Sequence, residues 1–390
     1  VVRGALEQIG DEMDLHLIRA ALSPIISETN DCAHGLYDPT SGETVAQGGY
    51  GLPLFLANMQ YTVQRVIAAA AAEGGFADDV VLVSPVFVAG RLFALFANTG
   101  HWMDMGGSVP GGWAPAATEI HQEGIIIPPL KLHEAGRCNT ALIRLLVANV
   151  RLPRQLEGDL AAMVNVFGVG HRGLEALVAR YGEATLRACI QEMMDRSETQ
   201  MRSYIAEIPD GTYRVEDWFD NDGVDDVPLR VSLALTVSGS GLHFDFTGTA
   251  PAARGPMNIS DSTTMSMCLV ALKHVFPDVP VNGGAFRPAR FTIPRRCILA
   301  AEYPSPVGGT TDVTQRVGIF ISKMQRSRYP HHIVFLHGVT QRAFRMIWFD
   351  RSPDWFEEEP NPANASVTLI DRDGRGRWID RTIACGESVV

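Results

Sequence analysis

Between Asn98 and Gly107 the chain reads Asn98-Thr99-Gly100-His101-Trp102-Met103-Asp104-Met105-Gly106-Gly107. The run follows an apolar stretch with strand character. His101 therefore sits where a strand ends beside glycines, a place from which an imidazole reaches a cleft. Asp104 is placed to ligate a metal or to orient that imidazole. A structural His–Asp pairing within a loop accounts for the same residues. Downstream, Thr118-Glu119-Ile120-His121-Gln122-Glu123-Gly124 brings two carboxylates and a histidine close together, a density that suits acid–base or metal chemistry. In an extended segment Glu119, His121 and Glu123 share one face and Gln122 takes the other. An exposed polar turn fits equally well. Upstream, Glu28, Asp31 and Cys32 follow the first helical pattern, where an acid beside apolar neighbours can bind a metal or simply face solvent on a strand. Trp102 and Trp113 are candidates to line a substrate pocket, with packing as the alternative.

Several other chemistries have no signature. There is no GxxxxGK[ST] phosphate loop and no GxGxxG opening a helix after a strand. A GxSxG elbow is missing too, which leaves a serine hydrolase of the α/β type without support. If ATP is used, a standard loop of this chain does not bind it.

The elements that must position these residues are legible in outline. Val2, Leu6, Ile9, Met13, Leu17 and Ala21 recur at helical steps, so residues 1–22 form an amphipathic helix that Ser23-Pro24 ends. An extended segment follows from Ile25 to Ala33. A turn over Pro39–Gly42 leads into a strand at Thr44–Gln47. Leu54–Ala72 reads as a helix ended by Gly74-Gly75. Val80–Val88 and Leu92–Ala97 are apolar β runs joined at Ala89-Gly90-Arg91. The tract Gly100–Pro129 has no period, and a loop that long is usually functional. Residues 140–205 are mainly helical. From Gly211 alternation at Val231, Leu233, Leu235 and Val237 marks strands, with a hairpin turn at Ser238–Gly241. Ser262–Val275 returns to helix, and the remainder reads as short strands and loops, ending in a strand at Ser366–Ile370 with a turn at Asp371–Gly374. The fold class is α+β, or mixed α/β. The expected domains are 1–210, carrying the metal and substrate site with its helical segment, and 211–390, rich in β-structure with one helix.

Composition narrows the function. With 46% hydrophobic and 20% charged residues the chain of 390 can bury a sizeable core. A net charge of −11 without a Lys/Arg block argues against nucleic acid as partner. No apolar run approaches the length of about 18 residues that a spanning helix needs, so no membrane association is expected. The six cysteines form no CxxC pair, and reduced thiols in a cytoplasmic protein are expected.

The run Ala97–Gly107 resembles the ANxxHHxDxGG segment of the hydantoinase B family. It continues with Ser108–Gly112, Thr118–Gly124 and Ile127–Leu132, which are similar to the family's PGS…TEIxQEGLxIPPxKL signature. Asn149-Val150-Arg151, Gly158-Asp159-Leu160, Ile208–Tyr213, Phe244–Thr249, Gly255–Asn258, Val281–Pro288 and Thr314-Gln315-Arg316 extend the resemblance, which covers about residues 1–320 and Asn364–Gly374. Members include 5-oxoprolinases, hydantoinases, a caprolactamase and the acetone and acetophenone carboxylases.

The resemblance implies a hetero-oligomer of two kinds of chain. ATP with Mg is held by a hydantoinase A-type, actin-like ATPase. The B-type chain holds a small-molecule substrate and a divalent metal (Zn, Mn or Mg). ATP would phosphorylate a carbonyl oxygen, and the expected reaction is hydrolysis of a cyclic amide: a hydantoin, 5-oxoproline or a lactam. A ketone carboxylase using bicarbonate is the alternative, and a structural chain that has lost its metal is the third. By the same resemblance Asp31 and His101 match metal ligands. Glu119, Glu123 and Asp104 are the expected catalytic residues, and Trp102 and Gln122 the expected substrate contacts. The family's NDPYxGGTHxxD segment is absent before Ser84-Pro85-Val86-Phe87, so breaks relative to the family are expected near 83/84, 325/326 and 338/339.

Overall fold

In the computed structural model the described residues are 1–52, 54–69, 80–324, 333–337, 345–349, 366–372 and 378–384. They fall into two compact units, Val1–Val313 and Thr314–Val390.

The first unit opens with α1 (Val2–Ala20), which buries Leu6, Ile9, Met13 and Leu17 along one stripe. Burial of each such side chain contributes roughly 1.5–3 kcal/mol. The extended segment expected after it is instead a short helix, α2 (Pro24–Thr29). Proline stands there at the first helical position, where its missing N–H costs nothing, so it starts a helix as readily as it stops one. Asn30, left-handed at φ 57°, closes α2 and turns the chain into β1 (Cys32–Tyr37). Then come β2 (Thr44–Gln47), α3 (Phe55–Ala69), β3 (Val80–Val88) and β4 (Arg91–Gly100).

These strands form an antiparallel sheet in the order β2-β1-β4-β3. Ala89 and Gly90, both at positive φ, make the tight β3–β4 turn. One face packs on α1 and the helices described below, through Leu36, Val45, Phe96, Leu174 and Leu186. The other packs on α3 through Ala33, Tyr37, Leu95 and Ala97. Two covered faces explain why Phe93–Ala97 is apolar throughout and does not alternate. Val83 and Ser84, between which a break was expected, are consecutive ladder residues opposite Ala97 and Phe96, in the middle of β3. The other two expected breaks lie outside the described residues.

After the loop come a two-residue hairpin, β5 (His133–Glu134) and β6 (Arg137–Cys138), and four helices, α4 (Thr140–Ala148), α5 (Pro153–Asn165), α6 (Phe167–Tyr181) and α7 (Glu183–Ile205). A second sheet holds β7 (Gly211–Phe219), β8 (Leu229–Ser238), β9 (Gly241–Asp245) and, parallel to β9, β10 (Ala289–Thr292). Strict burial alternation along β8 matches its sequence pattern. Between β9 and β10 lie α8 (Asp261–Val275) and the single turn α9 (Gly283–Phe286).

The boundary expected at 210/211 falls inside the first unit, because side chains cross it. Arg287 pairs with Glu43 at 2.8 Å and with Asp195 and Glu198 at 3.3 Å, and Asn282 bonds Ser197 at 2.9 Å. The region expected as strands and loops also contains a 15-residue helix, α10 (Thr310–Met324), preceded by Gly308-Gly309. In the second unit β11 (Ile333–His337), β12 (Arg345–Phe349), β13 (Ser366–Arg372) and β14 (Trp378–Ala384) form an antiparallel sheet in chain order. The turn expected from Asp371 does not begin there, since Asp371 and Arg372 still pair with Ile379 and Trp378. No helix among the described residues is long and apolar enough to cross a membrane.

Candidate functional site

Asp31 and His101 meet at one end of the first sheet. β1 and β4 run antiparallel with Cys32 opposite Gly100, so the residue before β1 faces the residue after β4. The His101 amide donates to the Asp31 carbonyl at 3.1 Å, extending the ladder by one bond. Both residues are half-buried. The approach to Asp31 is fixed by Asp159 on α5, whose Oδ1 accepts the amides of Leu22 and Ser23 at 2.7 and 3.0 Å. Gly158 permits that contact, since a Cβ there would stand 2.3 Å from Leu22 Cδ1.

Asp104 does not stand free beside His101. Its side chain is 2% exposed, and Oδ1 accepts the Gly106 amide at 3.1 Å and Arg151 Nη1 at 2.8 Å. Its Oδ2 accepts the Arg151 amide, and Arg151 Nη2 reaches the Gly107 carbonyl at 2.6 Å. With both oxygens engaged, Asp104 clamps the glycine loop to the α4–α5 connection. The catalytic role expected of it is corrected to a structural one.

The segment 119–123 is not extended, so its acids do not share a face. Ile120–Gln122 is a single 3-10 turn that leaves Glu119 and His121 exposed and buries Glu123. Glu123 Oε2 accepts the Val307 amide at 2.8 Å and Oε1 the Gly308 amide at 2.7 Å, fastening the loop to the segment before α10. Burial pushes its carboxyl up against the pull of those two amides. A carboxyl raised in the folded chain holds its proton to higher pH than in the unfolded one. Its contribution to stability therefore falls as pH rises from the unfolded to the folded value. Glu123→Ala is expected to cost about 2 kcal/mol by leaving two amides unpaired, measured as a shifted urea midpoint. An unshifted midpoint would show that the loop does not depend on this fastening.

The other candidates are placed as follows. His121 Nε2 lies 2.8 Å from the Tyr303 hydroxyl on the surface, ring edge to ring face. Gln122 Oε1 accepts the Thr118 amide at 2.7 Å, and its carbonyl accepts the Ser108 amide and hydroxyl, so it shapes its own turn. Trp102 is 4% exposed among Leu17, Ile26, Cys32 and Leu156, where it is core and offers a ligand no face. The burial of Trp102 corrects the substrate contact expected of it. Trp113 is exposed.

A pair not anticipated from sequence lies behind the site. Asp14 of α1 and His34 of β1 are both fully buried, with Oδ1 and Nδ1 2.7 Å apart. Asp14 Oδ2 accepts the amides of Tyr50 and Gly51. The available signal was an acid next to Met13 on the apolar side of α1. Among the described residues no group of three or more His, Cys, Asp or Glu side chains gathers to hold a metal. Asp31 and His101 supply one carboxylate and one imidazole, donors suited to a borderline divalent ion. Two donors fall short of the three protein ligands of an ordinary catalytic site.

A family model described as hydantoinase B/oxoprolinase matches residues 1–356. The chain is 32% identical over 258 residues to the beta subunit of caprolactamase from Pseudomonas jessenii, covering 62% of this chain and 44% of that one. It is 27% identical over 364 residues to the B subunit of a putative D-/L-hydantoinase from Pseudomonas sp. (strain NS671), covering 85% and 61%. The crystal structure of the ATP-dependent caprolactamase from Pseudomonas jessenii superposes with a TM-score of 0.74 at 28% identity, covering 81% of this chain and 57% of that chain. The chain thus spans less than two thirds of the length of each.

Proposed function

The chain belongs to the hydantoinase B/oxoprolinase family, and from that membership we propose that it is the substrate-holding subunit of an ATP-dependent enzyme that opens a cyclic amide. The observation that carries this is the meeting of Asp31 and His101 at the sheet end, in a frame similar to that of an ATP-dependent caprolactamase. An unactivated amide resists water. Phosphorylation of its oxygen by ATP, releasing ADP, makes the ring carbon electrophilic enough for water to add. The C–N bond then breaks with a proton passing to nitrogen, and a second water hydrolyses the acyl phosphate to carboxylate and phosphate. This is a chemical reason for coupling ring opening to ATP. This chain has no standard phosphate loop, so ATP is assigned to an A-type ATPase partner in a hetero-oligomer. The cytoplasm, where ATP is available, is the compartment this reading expects.

Asp31 and His101 are assigned to a divalent ion, with its remaining ligands outside the described residues. Such an ion supplies charge to a carbonyl or phosphoryl oxygen. The described residues position that pair. Asp159 fixes the turn into α2, Asp104 and Arg151 hold the loop that leaves His101, and Glu123 ties that loop to the segment before α10.

The test is ATP turnover by the chain purified with its partner, comparing hydantoins, 5-oxoproline and lactams with ketones, each with and without bicarbonate. Ring-opened product in step with ADP, and no ATP hydrolysis by this chain alone, is the expected result. Turnover that needs a ketone and bicarbonate together would replace the hydrolase with a carboxylase.

A further inference from the structure

The segment Gly48-Gly49-Tyr50-Gly51-Leu52 is held more firmly than a connection between two elements requires. From α1, Asp11 accepts the Gly49 amide at 2.8 Å, and Asp14 accepts those of Tyr50 and Gly51 at 3.1 and 3.3 Å. Asp14 is itself held by His34. From β1, the His34 carbonyl accepts the Gly48 amide at 3.0 Å and the Cys32 carbonyl the Leu52 amide at 3.1 Å. The seat is close enough to exclude side chains. A Cβ on Gly10 would stand 2.6 Å from Gly48 N, one on Gly48 2.1 Å from Asp14 Oδ2, and one on Gly51 2.1 Å from the Cys32 carbonyl.

The segment therefore runs fixed along β1 as far as Cys32, the residue next to Asp31. On the other side of β1, β4 delivers His101 to the same end. In the middle of this rigid segment Tyr50 is 49% exposed. An aromatic ring on an immobilised backbone, left half in solvent, loses little freedom when a ligand covers it. Such a ring adds apolar contact area with only two side-chain torsions to fix.

We propose that Tyr50 is a specificity-determining residue, its ring forming a wall against the apolar part of the substrate bound at Asp31 and His101, with Asp14 as the positioning residue that fixes it. This rests on the reading of Asp31 and His101 as the substrate site. The substrate class that fits is a cyclic amide whose methylene ring lies against an aromatic face while its polar edge meets the Asp31–His101 pair.

The experiment uses the assembled complex. Wild type, Tyr50→Phe and Tyr50→Ala are compared for KM and kcat across unsubstituted lactams of increasing ring size, and bound divalent metal is measured on the same preparations. Tyr50→Ala is expected to raise KM for the preferred ring by about ten-fold and to change the order of preference, with metal content unchanged. Tyr50→Phe is expected to keep the wild-type order. An unaltered order in Tyr50→Ala would overturn the proposal, as would a fall in kcat and metal content with KM unmoved, because that marks a structural role. A wild-type complex that turns over no cyclic amide would fail the site reading first and take this inference with it, an outcome visible before any variant is made.

Discussion

Replacing His101 with alanine is expected to release bound divalent metal from the assembled complex and to lower substrate-dependent ATP hydrolysis by on the order of 100-fold or more. On the proposed assignment the imidazole is half of the donor pair, and no third His, Cys, Asp or Glu among the described residues joins it. The ladder bond to Asp31 is expected to survive, because it runs through the His101 amide, which alanine keeps. Circular dichroism on the variant separates loss of metal from loss of structure. Elemental analysis of wild type and variant, purified side by side without chelator, gives the metal content. Full metal and full turnover in the variant would remove His101 from the site. Metal loss without any loss of turnover would keep His101 as a ligand and take the ion out of the chemistry.

Asp14→Ala is expected to be the most destabilising single change among those considered, by about 3–5 kcal/mol. It strips His34 Nδ1 of its partner inside the core, where Nε2 already has none, and it orphans the amides of Tyr50 and Gly51. A cavity against Gly48 adds to the loss, because the Asp14 carboxylate lies where a Cβ on that glycine would be. Urea unfolding of wild type and variant reads the difference as a shift in midpoint at constant slope. A loss below about 1 kcal/mol would mean that the pair gives back in desolvation what it gains in bonding. Asp14→Asn, with one oxygen in place of two, is expected to fall between the two.

Several acids that sequence reading offered for chemistry are spent on the backbone. Asp104, Glu123 and Asp159 lie in strings by which the chain resembles its family, and each spends its carboxylate on backbone amides. In each case a short acid bonds a turn that must approach another segment closely, beside a glycine that leaves room for it: Gly106 against Asn149, Gly308 against Glu123, Gly158 against Leu22. Strings of this kind are thereby explained as fastenings around the end of the first sheet.

The sequence by itself determined the local elements whose period is carried by adjacent residues. Leu6, Ile9, Met13 and Leu17 announce α1, the alternation Val231-x-Leu233-x-Leu235 announces β8, and the Ala89-Gly90 turn announces the β3–β4 hairpin. It determined the family as well, since collinear strings over most of the chain do not depend on folding to be read. Only the tertiary structure decided what the polar residues do. The partners of Asp104 lie up to 47 positions away, those of Glu123 184 and 185, and those of Asp14 between 20 and 37. A carboxylate looks the same in sequence whether it faces a substrate or an amide from a distant segment. α2 escaped for a related reason: a proline that opens a helix and one that ends a helix are the same residue, and only the packing of Ile26 and Trp102 into one cluster favoured the first.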